Sequence, residues 1–169
     1  MSNRPSQPAV WWEHKAWRDY ASHRFNFYAR TRDYRVVFST SVPTAAISQA
    51  VKVVLFNPLW KPNLFLRPGV RPRDERVTIV NAFAAHEAAH HRFSPEDIPE
   101  AIFDIWNALE DERIERLQRY DYRHDTFDLA QAFDFIGDGL IANQEAVTPY
   151  QGLLRWRFVH DRSDFPFST

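Results

Sequence analysis

The chain is 169 residues long, with a hydrophobic fraction of 44% and an aromatic fraction of 15%, which suits one domain and excludes a disordered chain. Lys and Arg number 21 against 22 Asp and Glu, so a formal net charge of −1 gives no global pull toward nucleic acid or an anionic membrane. No cysteine is present, which excludes disulfide scaffolds, zinc ribbons and thiol catalysis, and the 4 glycines lean the chain toward helix rather than a turn-rich barrel.

Residues 1–10, with Pro5 and Pro8, read as a loose tail on a single domain that takes in the whole chain. No apolar run follows a positive start, and no stretch is long enough to span a bilayer. The expectation is a soluble, cytoplasmic protein. Residues 11–30 are aromatic-rich, with Trp12, Trp17, Tyr20 and Phe25 at roughly helical spacing, and predict a helix. Residues 34–38 (YRVVF) and 51–56 (VKVVLF) are β-branched and aromatic and predict strands, with a short helix between them over 44–50. Pro58, Pro62, Pro68 and Pro72 then mark an extended connection. From Asp74 the chain reads as helical. One helix covers 75–93, capped by Asp74 and stopped by Ser94 and Pro95. Further helices are predicted over 99–120, over 126–143, and from Thr148, with Pro149 in the first turn, to just before Pro166. The fold class is α+β, mostly helical.

His86-Glu87-Ala88-Ala89-His90 is an HExxH motif inside the 75–93 helix. Residues four apart stack on one helix face, so two imidazoles can grip one ion, and the neighbouring carboxylate can take a proton from a polarised water. Projected at about 100° per residue, Ile79, Phe83, His86, His90 and Phe93 share a sector, so the histidines point into the apolar side. Ala82, Ala84, Ala85, Ala88 and Ala89 keep the rest of the helix narrow. The bland alternative is a pair of buried core histidines with no metal.

A catalytic zinc commonly takes two His and one carboxylate. In the next helix the apolar stripe is Ile102, Phe103, Ile105, Trp106, Leu109, Ile114 and Leu117. Glu110 and Arg113 fall within it, Asp111 points to the opposite side, and Glu112 and Glu115 lie at or beyond its margins. A carboxylate in an apolar stripe must be paired or metal-bound, so Glu110 is the expected third ligand. A Glu110–Arg113 ion pair is the alternative. Asn107, Asp111 and Arg113 are expected behind the ligands, holding or neutralising them.

HEAAH followed by NALEDERIE resembles the gluzincin-type zinc metallopeptidases. More narrowly, it is similar to the peptidase-like domains associated with von Willebrand A domains in cobalt-chelatase-CobT-like bacterial and phage proteins. Asn107, Glu110, Asp111, Arg113 and Glu115 match the N-x-x-E-D-x-R-x-E pattern, and the likeness covers about residues 52–119. It departs from the pattern at Ala89, where peptidases often carry glycine, and no von Willebrand A domain lies within the 169 residues. The resemblance implies His86, His90 and Glu110 as ligands of one zinc per chain and Glu87 as general base. It implies a zincin-like fold with a small sheet, the HExxH helix, a glutamate helix and C-terminal helices. Residues 51–56 would then be the edge strand that pairs with an extended substrate peptide.

The expected activity is peptide-bond hydrolysis. The alternative is a zincin-fold metal-binding module without turnover, acting as an interaction or regulatory domain. A Glu87→Gln variant separates the two, since only hydrolysis needs that carboxylate. The oxyanion donor is open among His124, Tyr120, Tyr122, Tyr150 and His160, with His124 favoured because a loop before a predicted helix can bring it to the metal. The aromatic segment at Trp11, Trp12, Trp17, Phe25 and Tyr28 is read as core, and Arg67, Arg71, Arg73 and Arg76 as a solvated loop. Partners are a peptide or protein substrate, with room for a protein that presents it; no membrane or nucleic acid is expected.

Overall fold

The computed structural model describes residues 10–60, 75–95, 98–99 and 102–122. Within them the fold is α+β. A one-turn 3-10 helix, Trp11–Glu13, leads into α1 (Lys15–Ala29). Strands β1 (Arg35–Phe38), β2 (Ala45–Ser48) and β3 (Val53–Phe56) follow, then α2 (Glu75–Phe93) and α3 (Phe103–Asp121). The helix expected over 11–30 is broken at His14, whose backbone is extended. The break lets Trp11 turn back onto Trp17 and Phe38, with ring centroids 5.0 and 5.3 Å apart. α1 ends at Arg30 in the left-handed conformation, its amide bonded to the carbonyls of Asn26 and Phe27.

The three strands lie in the order β1-β3-β2. β1 and β3 are parallel, with Arg35 opposite Val53 and Phe38 opposite Phe56. β2 and β3 are antiparallel, with Ala45 opposite Phe56 and Ser48 opposite Val53. Two expectations are corrected here. Residues 44–50 are not helical, because Asn57 fixes the start of β2 as a strand. Its amide donates to the Thr44 carbonyl (2.7 Å), and its side-chain amide donates to the Val42 carbonyl at 2.8 Å and that of Pro43 at 3.1 Å. The 51–56 strand is not an edge: β3 is central, and β1 and β2 flank it.

The two edges differ. α1 caps backbone groups at the outer side of β1, on Val36 and on Tyr34 just before the strand, with two side chains one turn apart. Ser22 Oγ accepts from the Val36 amide at 2.9 Å. Asn26 accepts from the Tyr34 amide at 3.2 Å and donates to the Tyr34 carbonyl at 2.8 Å. Together they mimic a neighbouring strand. On β2, the alternation that bonds Thr44 to Asn57 turns the amides and carbonyls of Ala45 and Ile47 away from β3. No described backbone group pairs with them there.

One face of the sheet packs on the helices. Phe25 and Tyr28 of α1, Tyr34, Val36, Val54 and Phe56 of the sheet region, and Ile79, Val80 and Phe83 of α2 form one buried cluster. The expected narrow helix is observed: Ala82, Ala84, Ala85, Ala88 and Ala89 are all buried, so α2 is enclosed on several sides. The aromatic N-terminal residues serve as core, with Phe25 and Tyr28 fully buried and Trp11 and Trp17 packed against the cluster. No described helix is long and apolar enough to cross a membrane.

α3 sits against α2 rotated about its own axis from the expected orientation, with Glu110 and Ile114 of the expected inward face still buried. Its apolar stripe at Ile102, Phe103, Ile105, Leu109 and Leu117 is exposed, and so is Tyr120. The buried face carries Ala108, Glu110, Ile114, Glu115 and Gln118. Apart from Ile114, the helix turns small and polar side chains inward and most of its large apolar ones outward. Its C-terminal end is tied to both other helices: Asp121 pairs with Arg30 and Arg92, Arg92 also donates to Gln118 (2.8 Å), and the Tyr122 hydroxyl donates to the Phe27 carbonyl at 3.1 Å. Residues 61–74, which hold Asp74 and three of the prolines, and the helices predicted over 126–143 and from 148 lie outside the described residues.

Candidate metal centre

Each helix presents a pair of residues four apart. α2 presents His86 and His90, and α3 presents Asp111 and Glu115. Ala108, one turn before Asp111, is small and buried, which lets the helices approach at this level. The imidazoles of His86 and His90 lie 4.8 Å apart, nearly perpendicular. Their Nε2 atoms converge on one carboxylate oxygen: Asp111 Oδ1 is 3.0 Å from His90 Nε2 and 3.8 Å from His86 Nε2. One ligand atom each from His86, His90 and Asp111 falls within a span of 4.8 Å, among the described residues the one such group.

The other ring nitrogens are engaged. His86 Nδ1 lies 2.8 Å from Glu115 Oε1, and His90 Nδ1 lies 2.9 Å from Ser94 Oγ. A carboxylate that accepts from Nδ1–H fixes the tautomer that leaves Nε2 as the lone-pair nitrogen. Glu115 is only 1% exposed, so its charge acts on His86 with little screening by water. Burial alone disfavours the imidazolium. The Glu115 hydrogen bond and the charges of Asp111, Glu115 and Glu87 outweigh it and raise the His86 pKa to about 9. The donor set of two imidazoles and one carboxylate, held from behind, fits a divalent metal such as zinc.

Glu87 is 5% exposed. Burial raises its pKa, the neighbouring His86 and His90 charges lower it, and Asp111 raises it again; the net direction is upward. A carboxylate with increased proton affinity beside the two imidazoles has the character of a proton acceptor.

Asp111, expected behind the ligands, faces the histidines, and Glu110, expected as a ligand, is buried and held by Arg113. Arg113 grips Glu110 with two hydrogen bonds, 2.7 and 2.5 Å, and donates to the Phe93 carbonyl (2.7 Å) at the end of α2. That pairing holds the Glu110 carboxyl below the usual range, with a further hydrogen bond from Ser94. Glu110 thus stands behind His90 through Ser94, and Asp111 stands against both Nε2 atoms. The physical reason is the rotation of α3 about its axis. The projection placed its apolar stripe toward α2, so it turned Asp111 and Glu115 the wrong way. Asn107 is half-buried.

Glu115 was matched to the sequence pattern but set at the margin of the stripe, and Ser94 was read only as a helix stop; neither was expected to hold an imidazole. The signal for Glu115 was its place four residues after Asp111, the same step that separates the histidines. His91 is turned away, with Nδ1 3.2 Å from the Tyr34 hydroxyl, and burial lowers its pKa, as does Lys52. Of the oxyanion candidates, Tyr120 is 73% exposed on the outer face of α3 and Tyr122 is engaged with α1. His124, Tyr150 and His160 lie outside the described residues, as do Arg67, Arg71 and Arg73. Arg76 lies over the Trp17 ring, 5.3 Å from its centroid. No known protein family, curated protein or solved structure matches the chain.

Proposed function

We propose that this chain is a zinc-dependent peptidase domain of zincin type, with one zinc held by His86, His90 and Asp111. The supporting observation is the convergence of both Nε2 atoms on Asp111 Oδ1 while Glu115 and Ser94 engage both Nδ1 atoms. A chance pair of core histidines has no need of two ring nitrogens aimed at one buried carboxylate.

When bound, zinc supplies Lewis acidity that polarises a carbonyl and acidifies water. The chain's own residues do the rest. Glu115 and Ser94 orient the imidazoles. Glu87 accepts the proton of the attacking water and delivers it to the leaving amine nitrogen. The Ala45 and Ile47 backbone offers an extended peptide a strand to pair with. The sheet is joined to α2 by Phe83, which packs on Phe56 (ring centroids 5.5 Å apart) three residues before His86. Ala45 is the register partner of Phe56.

The test is elemental analysis of protein purified without added metal, followed by a screen of unstructured peptides. The expected result is about one zinc per chain, lost in His86→Ala and kept in Glu87→Gln, with hydrolysis lost in both. Zinc retained with no hydrolysis by the parent chain would favour the metal-binding module without turnover. Absence of zinc from the parent chain would overturn the metal reading.

A further inference from the structure

The two imidazoles of the centre are held by different means. His86 Nδ1 meets the Glu115 carboxylate directly, and an ionised carboxylate can only accept, so the hydrogen sits on Nδ1. His90 Nδ1 meets the Ser94 hydroxyl instead, 2.9 Å away. A hydroxyl both donates and accepts, so by itself it leaves the hydrogen free to sit on either ring nitrogen.

The choice is made one group further out. Ser94 is also hydrogen-bonded to Glu110. An ionised Glu110 takes the single hydroxyl proton, and Ser94 then has only lone pairs to offer the ring. His90 carries its hydrogen on Nδ1 and keeps the Nε2 lone pair for a metal. The arrangement requires Glu110 to stay ionised and to stay aimed at Ser94. Arg113 secures both. Its guanidinium grips the two carboxylate oxygens separately, Nε on Oε2 at 2.7 Å and Nη2 on Oε1 at 2.5 Å. Nη2 donates as well to the Phe93 carbonyl at 2.7 Å, so the same fork holds the backbone just before the serine. The Ser94 amide closes the turn onto the His90 carbonyl at 3.0 Å.

From this chain of contacts we infer that Arg113 is a positioning residue for His90: through Glu110 it makes the Ser94 hydroxyl a one-way acceptor, and so keeps Nε2 ready for the metal. The role presupposes the metal centre of His86, His90 and Asp111 proposed above. It also separates the two arms. The His86 arm ends on a buried glutamate, whereas the His90 arm ends on an arginine whose side chain is 49% exposed. The second imidazole is therefore governed from the surface of α3.

The test is zinc affinity of the full-length chain, read by competition against a chelating dye. Arg113→Met should weaken binding about tenfold. In a Ser94→Ala background, where the hydroxyl is already gone, the same substitution should change it by less than about twofold. Arg116→Met removes the neighbouring pair with Glu112 and should leave the parent affinity. Cobalt(II) in place of zinc should show an altered visible band in Arg113→Met and the parent band in Arg116→Met. Arg113→Lys keeps the charge and loses the fork. It should weaken binding in the same Ser94-dependent way, and it carries the test if circular dichroism shows the methionine variant unfolded. Equal weakening with and without the Ser94 hydroxyl would mean that Arg113 only braces the end of α2, and would overturn the proposal, as would an unchanged cobalt band. Failure of the parent chain to bind zinc is a separate result: it would overturn the metal reading, and the role of Arg113 with it.

Discussion

At His86 a proton and a metal compete for the same ring. Glu115 stabilises the imidazolium, and the metal requires the neutral form. With the His86 pKa raised to about 9, zinc binding near neutral pH must release a proton. Zinc affinity should therefore strengthen by about tenfold per pH unit between pH 7 and 9 and then level off. Calorimetric titrations in buffers of different ionisation enthalpy measure that proton directly. The sign for metal-free stability is the reverse. A raised folded-state pKa means that the His86–Glu115 pair contributes fully below about pH 6.5 and is lost as pH rises through about 9. Glu115→Gln keeps the shape but removes the charge. It should weaken zinc binding about 10- to 100-fold and flatten the pH dependence. Two neighbouring substitutions separate the carboxylates of α3. Asp111→Ala should abolish stoichiometric zinc, whereas Glu110→Ala should leave it bound, with affinity reduced through the loss of support behind His90. The opposite ranking in a competition titration against a chelating dye would return the third-ligand role to Glu110.

At the scale of elements, α1 does two jobs: its aromatic face fills the core and its polar face closes a strand. Phe25→Ala should cost about 3–5 kcal/mol in a urea melt, because the ring is wholly buried among Tyr34, Val36 and α2. Ser22→Ala should cost about 1 kcal/mol, the loss of one partly buried hydrogen bond to a backbone amide. The long helices were legible in the sequence because their signals are local. The bounds predicted for α2 agree with Glu75–Phe93, and its buried alanines announced close packing. β2 was not legible. Ala45, Ala46 and Ala50 favour helix on their own, and the hydrogen bonds that override them come from Asn57, beyond the segment. The histidine pair was visible as spacing on one helix. The carboxylate that completes it was not, because hydropathy gives the apolar side of α3 without saying which neighbour that side meets.

For the whole molecule, a metal clamped between α2 and α3 becomes part of the stability of the fold. A ligand that binds the native state at 100 times its dissociation constant adds about 2.7 kcal/mol. Chelation should lower the melting temperature of the parent chain and of Glu87→Gln alike, and leave His86→Ala unmoved, as read by a thermal scan with and without EDTA. An equal shift in all three would mean that the metal, if present, sits elsewhere.

The capped outer side of β1 has a consequence for how molecules of this protein can associate. Fibrils grow because every strand pair leaves a fresh edge on each side for the next arrival. Here Ser22 and Asn26 take the outward groups of Tyr34 and the Val36 amide, so among the described strands β2 is the more open edge. If two molecules meet strand to strand along β2, each spends on the other the more open of its two described edges, and a third meets only the capped side of β1. Among the described strands the sheet then favours a pair over a growing stack, and a peptide lying along β2 competes even with the pair.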